Sequence, residues 1–473
     1  MRKSVSAFLW LAVFLSGAFL RFHALGRQSL WDDEMTSVHV VSVPFRAELS
    51  YHRVYEFHPP LFFCQLRLWK RYLGSSLVVL RANSAAWGAL SLLALYGLAV
   101  ALGYSSAGAL WAMAFLAFSP FHLAYSQELR PYALAVFLGT AGFWLLEILL
   151  REDSAGRRGR VWTWGLNFLV IVAELYTHLW GAFVVCAQSV EGLWRFKGRT
   201  RWVWTGICAG AVLLFCFWLP IVWRQIHNVG GLSGFWMLAP SPLNLVRTFL
   251  AFSGVYFRFA SSDFLYPGPP GVRGLIIGLY AVGFVLGFRR APRAVLLWLL
   301  LGLGLPFALS YRVPALYLWY RYTVLIYPAF LLWVVAGWDS VRPAGLRRLC
   351  LGLVLAAEIW GCRYYCTGWE KANPQAVVAY VNSQTTRNTV IIRPAYFSDL
   401  FSFYYTGSAP VFDQDREDSV LKRRRFRGAD ILLVAFDVPS DPITDAFRSE
   451  FKNVAARHFP GFAHLGITVY SFR

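Results

Sequence analysis

Charge is scarce in this chain: of 473 residues, 15% are Asp, Glu, Lys or Arg, against 57% hydrophobic. That balance excludes a disordered or collagen-like protein and argues against an ordinary soluble enzyme. Cysteines are few as well. Of the seven, Cys64 stands apart, the other six lie within or beside apolar stretches, and none follows Cys366. There is thus no disulfide framework and no Cys/His set at zinc spacing. A P-loop is also missing. Gly230-Gly231-Leu232-Ser233-Gly234 and Gly268-Pro269-Pro270-Gly271 are turn chemistry, without the Lys-Ser/Thr or strand-to-helix setting that phosphate-cradling glycines need. This argues against an ATP-driven pump, and no internal repeat of the kind many transporters carry is visible.

What the chain has instead is repeated apolar stretches of about 20 residues, the length that crosses a hydrocarbon core. They predict spans at roughly 5–25, 77–101, 105–125, 130–150, 161–178, 179–195, 202–222, 272–288, 294–311, 322–338 and 349–366. The region 161–195 is split at Tyr176-Thr177-His178, because one long helix there would reverse everything downstream. The first stretch reads as an anchor rather than a signal peptide, since Arg21, Phe22 and His23 make a poor cleavage region. Residues 367–473 carry 13 Lys/Arg and 11 Asp/Glu, so +18 of the formal +20 belongs to the hydrophobic part. A nucleic-acid binder would do the opposite. The basic clusters fall in short gaps: Arg2 and Lys3; Arg151, Arg157, Arg158 and Arg160; Arg195, Lys197, Arg199 and Arg201; Arg289, Arg290 and Arg293; Arg342, Arg347 and Arg348. The positive-inside rule puts them on the cytoplasmic face. Eleven spans starting inside leave the tail outside, giving a membrane domain over 1–366 and an extracytoplasmic domain over 367–473.

The outside loops hold the chemistry. The first contains Trp31-Asp32-Asp33-Glu34. Consecutive acids can be a helix N-terminus, whose free N–H groups favour carboxylates; beside Trp31, one could instead be a partly desolvated base. Next comes Glu56-Phe57-His58-Pro59-Pro60, followed by Leu61–Tyr72, which reads as an amphipathic interfacial helix. His58 is either a packing histidine or a donor to a phosphate at headgroup depth. Between the third and fourth spans lies Ser119-Pro120-Phe121-His122, running to Tyr125-Ser126-Gln127-Glu128-Leu129-Arg130-Pro131-Tyr132. Glu128 and Arg130 are two apart and cannot pair on one helix face. This favours separate tasks, with Arg130 as a phosphate fork and Glu128 accepting from hydroxyls, against a merely snorkelling arginine. Tyr317-Leu318-Trp319-Tyr320-Arg321-Tyr322 precedes the tenth span, either as an aromatic belt or as a second cationic phosphate contact.

Taken in order, Trp-x-Asp-Glu, His-Pro-Pro-Leu, Pro-Phe-His to Tyr-Ser-Gln-Glu-x-Arg-x-Tyr, and Arg-Tyr resemble the GT-C superfamily of polytopic membrane glycosyltransferases. The resemblance is specific over about residues 20–150 and weaker over 300–340. It is greatest to the bacterial branch of the aminoarabinose transferases, protein O-mannosyltransferases and Rgt-type lipopolysaccharide enzymes. It implies a bacterial plasma-membrane enzyme taking sugar from a polyprenyl-phosphate donor to an envelope glycan, lipid or protein acceptor. It also implies a catalytic carboxylate at Asp33, with Glu34 beside it and Asp32 as a second candidate. Arg130, Arg321, His58 and Tyr322 are then expected at the donor phosphate, and Asp32, Gln127 and Glu128 at the substrate. Some relatives use a divalent metal and others do not; Asp32, Asp33, Glu34 and Glu128 are the acids that could bind one.

The tail alternates. A helix is predicted over Asn373–Ser383 and another over Pro442–Val454, with buried strands at Val390-Ile391-Ile392 and Ile431–Val434, hence a small α/β domain. Lys422-Arg423-Arg424-Arg425 suits contact with anionic headgroups. The rival class, a lipid or solute transporter, calls for mid-membrane charges, broken helices and duplicated halves; the mid-span acids are chiefly Glu174 and Glu358.

Overall fold

The computed structural model describes residues 2–46, 56–157, 160–228, 240–259, 262–312, 316–371, 373–386, 389–393, 397–413, 430–436, 454–462 and 465–472. The glycine run at 230–234, Arg158 and the basic run at 422–425 lie outside them. The chain divides into two compact units. One comprises Met1–Leu25, His39–Phe257 and Phe264–Gly368; the other comprises Gly26–Val38, Arg258–Asp263 and Trp369–Arg473.

The first unit is helical. Its helices are α1 (Arg2–Phe22), α3 (Leu61–Leu73), α4 (Leu77–Ala101), α5 (Ser106–Ala117), α6 (Pro120–Gln127), α7 (Tyr132–Ser154), α8 (Val161–Leu175), α9 (Gly181–Arg195), α10 (Gly198–Cys216), α11 (Leu219–Asn228), α12 (Leu243–Phe252), α13 (Pro270–Gly287), α14 (Arg293–Leu299), α15 (Leu305–Leu309), α16 (Tyr327–Asp339) and α17 (Ala344–Thr367). α2 (Asp32–Val40) runs from the second unit into the first. A π-helical turn, Leu300–Gly304, joins α14 to α15, and a 3₁₀ turn, Tyr322–Ile326, leads into α16. Serines set several starts: Ser76, Ser105 and Ser119 accept the N–H groups of Val79, Gly108 and His122, each satisfying one otherwise unpaired donor.

Each of the eleven stretches expected from hydropathy is helical, but not each is a straight crossing. Among the described residues, six helices are long and apolar enough to cross a membrane, or up to eight if each bent pair is one span. The bends are 58° between α5 and α6 and 53° between α10 and the start of α11. At the first bend, Ser119 and Pro120 begin a new helix and break the ladder. The chain also breaks between α8 and α9 at Tyr176–Trp180, as the 161–195 region requires. Packing is close: a Cβ on Gly17 would lie 2.7 Å from Leu92 Cδ1 and 2.8 Å from Ala117 Cβ, so α1 rests directly on α4 and α5. At one end of the bundle, basic residues from three different gaps converge. Arg195 pairs with Glu147 at 2.8 Å and Glu191 at 3.3 Å, and Arg293 with Glu191 at 3.2 Å. With Arg151 and Lys197 they line a cavity of about 620 Å³. Basic residues from three of the five gaps are thus neighbours in space.

The second unit contains a five-stranded sheet in the order β4 (Val411–Asp413), β3 (Thr389–Arg393), β5 (Asp430–Phe436), β7 (Leu465–Phe472), β6 (Val454–Phe462). β3 is parallel to β4 and β5, while β7 is antiparallel to β5 and β6. A short hairpin, β1 (Tyr256–Phe259) and β2 (Ser262–Leu265), precedes it in the chain. Ile392, Ile431, Leu433, Ala435 and Tyr470 form a buried core under the sheet. Helices α18 (Pro374–Gln384) and α19 (Ser398–Tyr404) belong to it, with Asn373 Oδ1 capping α18 by accepting the Ala376 N–H at 3.0 Å. The predicted helix over Pro442–Val454 is corrected at its end: Val454 opens β6, paired with Phe472 of β7, and the rest of that stretch lies outside the described residues.

Candidate functional site

The candidate residues fall into two sets, one in each unit.

In the second unit, Asp32, Asp33 and Glu34 form the first turn of α2, where carboxylates meet free N–H groups and the positive end of the helix dipole. The segment leading to them is tied to the tail: the Leu30 N–H donates to Tyr404 Oη at 2.8 Å, and Arg27 and Gln28 donate to the Trp369 carbonyl, each at 3.0 Å. The three acids then differ. Glu34 is fully buried and receives Lys371 Nζ at 2.6 Å. Asp33 is half-buried and Asp32 exposed. Desolvation by the surrounding protein, then the charges of Asp33 and Asp399, raise the Asp32 carboxyl to about 7, with the solvent on its open side weakening all three.

In the first unit, the bend before α6 and the extended stretch after it bring the second set together. Arg130 and Glu56 form a bidentate pair, Nη1 to Oε2 at 2.8 Å and Nη2 to Oε1 at 3.2 Å, both side chains nearly inaccessible. The His58 N–H also donates to Glu56 Oε1 at 2.9 Å, and Gln225 Nε2 donates to the Glu56 carbonyl at 2.7 Å. Two prolines then start α3, whose Leu61 N–H reaches the Tyr176 carbonyl at 2.9 Å. That links His58 to the α8–α9 turn carrying His178, and the two imidazoles lie 4.6 Å apart. Tyr132 packs on both, at 5.8 and 5.7 Å, as does Tyr322, at 6.5 and 5.2 Å. The Tyr320 carbonyl accepts the Tyr125 hydroxyl, which fixes the start of the Arg321–Tyr322 segment against α6. The charges of Arg321, Arg130 and Glu128 all act on Tyr132.

Arg130, Glu128, His58, Arg321 and Tyr322 are thus brought around one cluster of rings. Gln127 is turned elsewhere: its amide nitrogen donates to the carbonyls of Leu20, Arg21 and His23 at the C-terminal end of α1. Sequence reasoning missed Glu56 as the partner of Arg130, and His178, which it used only as a helix break. A polar dipeptide, Thr177-His178, between two apolar stretches was the available signal. Among the described residues no group of three or more His, Cys, Asp or Glu side chains is placed to hold a metal ion, and Glu34 is engaged by Lys371.

No family model matches the sequence, and no curated protein matches it significantly. Solved structures do match. ArnT from Cupriavidus metallidurans bound to undecaprenyl phosphate aligns over 98% of this chain and 97% of its own, with 11% identity and a TM-score of 0.57. The same protein in the apo state gives 99%, 98%, 12% and 0.57. The oligosaccharyltransferase of Archaeoglobus fulgidus in complex with zinc and sulfate aligns over 90% of this chain and 68% of its own, with 11% identity and a TM-score of 0.50. The chain thus shares its fold with ArnT along nearly its whole length, which accords with the resemblance carried by the loop motifs.

Proposed function

We propose that this chain is an inverting glycosyltransferase of the bacterial plasma membrane that transfers a sugar from a polyprenyl-phosphate donor to an extracytoplasmic acceptor. The carrying observation is the GT-C fold along nearly the whole chain, shared with a protein that binds undecaprenyl phosphate. The ring cluster around Arg130, His58, Arg321 and Tyr322 adds chemistry suited to a lipid phosphate. In the proposed reaction Asp33 takes the proton of an acceptor hydroxyl as its oxygen attacks the anomeric carbon in one displacement. The lipid phosphate leaves with the bonding electrons, its charge met by Arg321 and the histidine and tyrosine donors, while Arg130 is held in place by Glu56. Asp32 and Glu128 accept from acceptor or sugar hydroxyls. Glu34 keeps Lys371 in place rather than sharing the base's task. The proposed topology has eleven crossings, the short helices α8, α9 and α14–α15 included, with residues 367–473 outside. The acceptor class is an envelope lipid, glycan or protein. Mass spectrometry of envelope glycans from cells with and without the chain tests this: loss of one sugar residue from one glycan supports it, and identical glycan profiles contradict it.

A further inference from the structure

The cavity on which Arg151, Arg195, Lys197 and Arg293 converge has a volume of about 620 Å³, inside the range of small-ligand sites, about 300–1,000 Å³. It lies far from the loop motifs. Tyr132 and Arg151 stand near opposite ends of α7, about 29 Å apart at a rise of about 1.5 Å per residue. Glu147 and Glu191 also line the cavity, and both are almost fully buried. Their charges are already met: Arg195 holds Glu147 at 2.8 Å and Glu191 at 3.3 Å, and Arg293 holds Glu191 at 3.2 Å. Two cations are left over. Arg151 Nη2 donates to the Val100 carbonyl at 2.9 Å, a neutral acceptor, and its charge reaches Glu147 from a longer distance. Among the described residues neither Arg151 nor Lys197, both exposed, forms an ion pair. The acids that follow Arg151 in the chain, Glu152 and Asp153, do not line the cavity. Gathering four like charges costs repulsion that the two glutamates offset in part, and an anion would offset the rest.

The lining also says where that anion comes from. Trp194 is two-thirds exposed, with the Arg293 guanidinium 4.7 Å from the centre of its ring. Exposed tryptophan beside arginine is the pattern of the membrane–water boundary, and basic gaps mark its cytoplasmic side, where anionic lipids are held by basic pockets between helices. We propose that this cavity receives the headgroup phosphate of an anionic phospholipid of the cytoplasmic leaflet, with Arg151, Lys197 and Arg293 as its donors. The arginines can offer paired N–H groups and the lysine a point charge, while Arg195 stays bound to the two glutamates. One phosphate there ties the ends of α7 and α9 to the start of α14. The site is separate from the ring cluster and does not depend on the sugar-transfer reading.

The test is binding of dioctanoyl phosphatidylglycerol to the purified full chain in a non-ionic detergent, followed by native mass spectrometry, with dioctanoyl phosphatidylcholine as the uncharged comparison. Wild type is expected to hold phosphatidylglycerol at least about tenfold more tightly. Arg151→Gln with Lys197→Gln should weaken it about 10- to 30-fold, about fivefold for each charge removed near the lipid surface. Arg289→Gln with Arg290→Gln, exposed and outside the cavity, should change it less than about twofold. Lys197→Gln alone, which breaks no ion pair among the described residues, should show its fivefold share even if the double variant folds poorly. Equal affinity for the two lipids, or equal losses in the two double variants, overturns the proposal by making the binding diffuse surface charge. Displacement of phosphatidylglycerol by an equal concentration of inorganic phosphate overturns the lipid assignment, because the cavity would then take the free anion.

Discussion

Glu34 and Lys371, 337 positions apart, meet at 2.6 Å with almost no solvent access. Breaking such a pair strands a charge, whereas the intact pair is worth little over an apolar replacement. Lys371→Met is therefore expected to destabilise the full chain by about 3–5 kcal/mol in detergent denaturation, with Glu34→Leu on top of it recovering much of the loss; a Lys371→Met protein as stable as wild type would contradict the buried pairing. Asp32 makes a prediction of opposite sign to a paired carboxylate. Its folded value, about 7, lies above the unfolded carboxylate value near 4. Between these, the folded state holds a proton that the unfolded state has released, so stability falls as pH rises from about 4 to 7. Asp32→Asn should raise Tm at about pH 8 and leave it unchanged below about pH 4, as followed by thermal scans across pH; a variant that lowers Tm at pH 8 would reverse the assignment. The sequence displayed these acids as one run, Asp32-Asp33-Glu34. It could not tell them apart, because what separates them is a lysine and an aspartate from the far end of the chain.

At the scale of elements, helix positions and the α8–α9 break were readable because apolar length is a local property of the chain. The bends were not. That after α5 leaves the Leu116 and Ala117 carbonyls without helical partners, and Arg21 supplies them from α1: Nη2 donates to Leu116 O at 2.9 Å and Nη1 to Ala117 O at 3.1 Å, with His122 Nδ1 also at 2.8 Å. In the sequence Arg21 looked like the flank of an anchor, and only the three-dimensional bend gives it buried work. Arg21→Met should leave two buried acceptors unmade and lower stability by about 2–4 kcal/mol, read as a fall in Tm in detergent; an unchanged Tm would mean that water or the backbone closes that bend unaided. For the tail, β3 and β5 were legible as short β-branched and leucine runs. β6, with Arg457, His458 and Pro460 in it, carries no such pattern and is a strand through its antiparallel pairing with β7.

For the whole molecule, the fold was legible from motif order before any coordinate, since the loop motifs pointed to the architecture that the chain shares with ArnT. The candidate site was half legible. Arg130, His58, Arg321, Tyr322 and Glu128 do gather, whereas the Glu56 partner and the His178 ring depend on contacts between loops more than 70 and 100 residues apart. The central claim, that this chain transfers sugar from a polyprenyl phosphate using Asp33 as base, is tested most directly with purified protein and a labelled undecaprenyl-phosphate sugar in the presence of acceptor. Wild type should release undecaprenyl phosphate as the label moves to the acceptor, and Asp33→Asn should lower kcat about 100- to 10,000-fold at unchanged Tm. Turnover by Asp33→Asn equal to wild type, or label carried across the bilayer without any transfer, would contradict it.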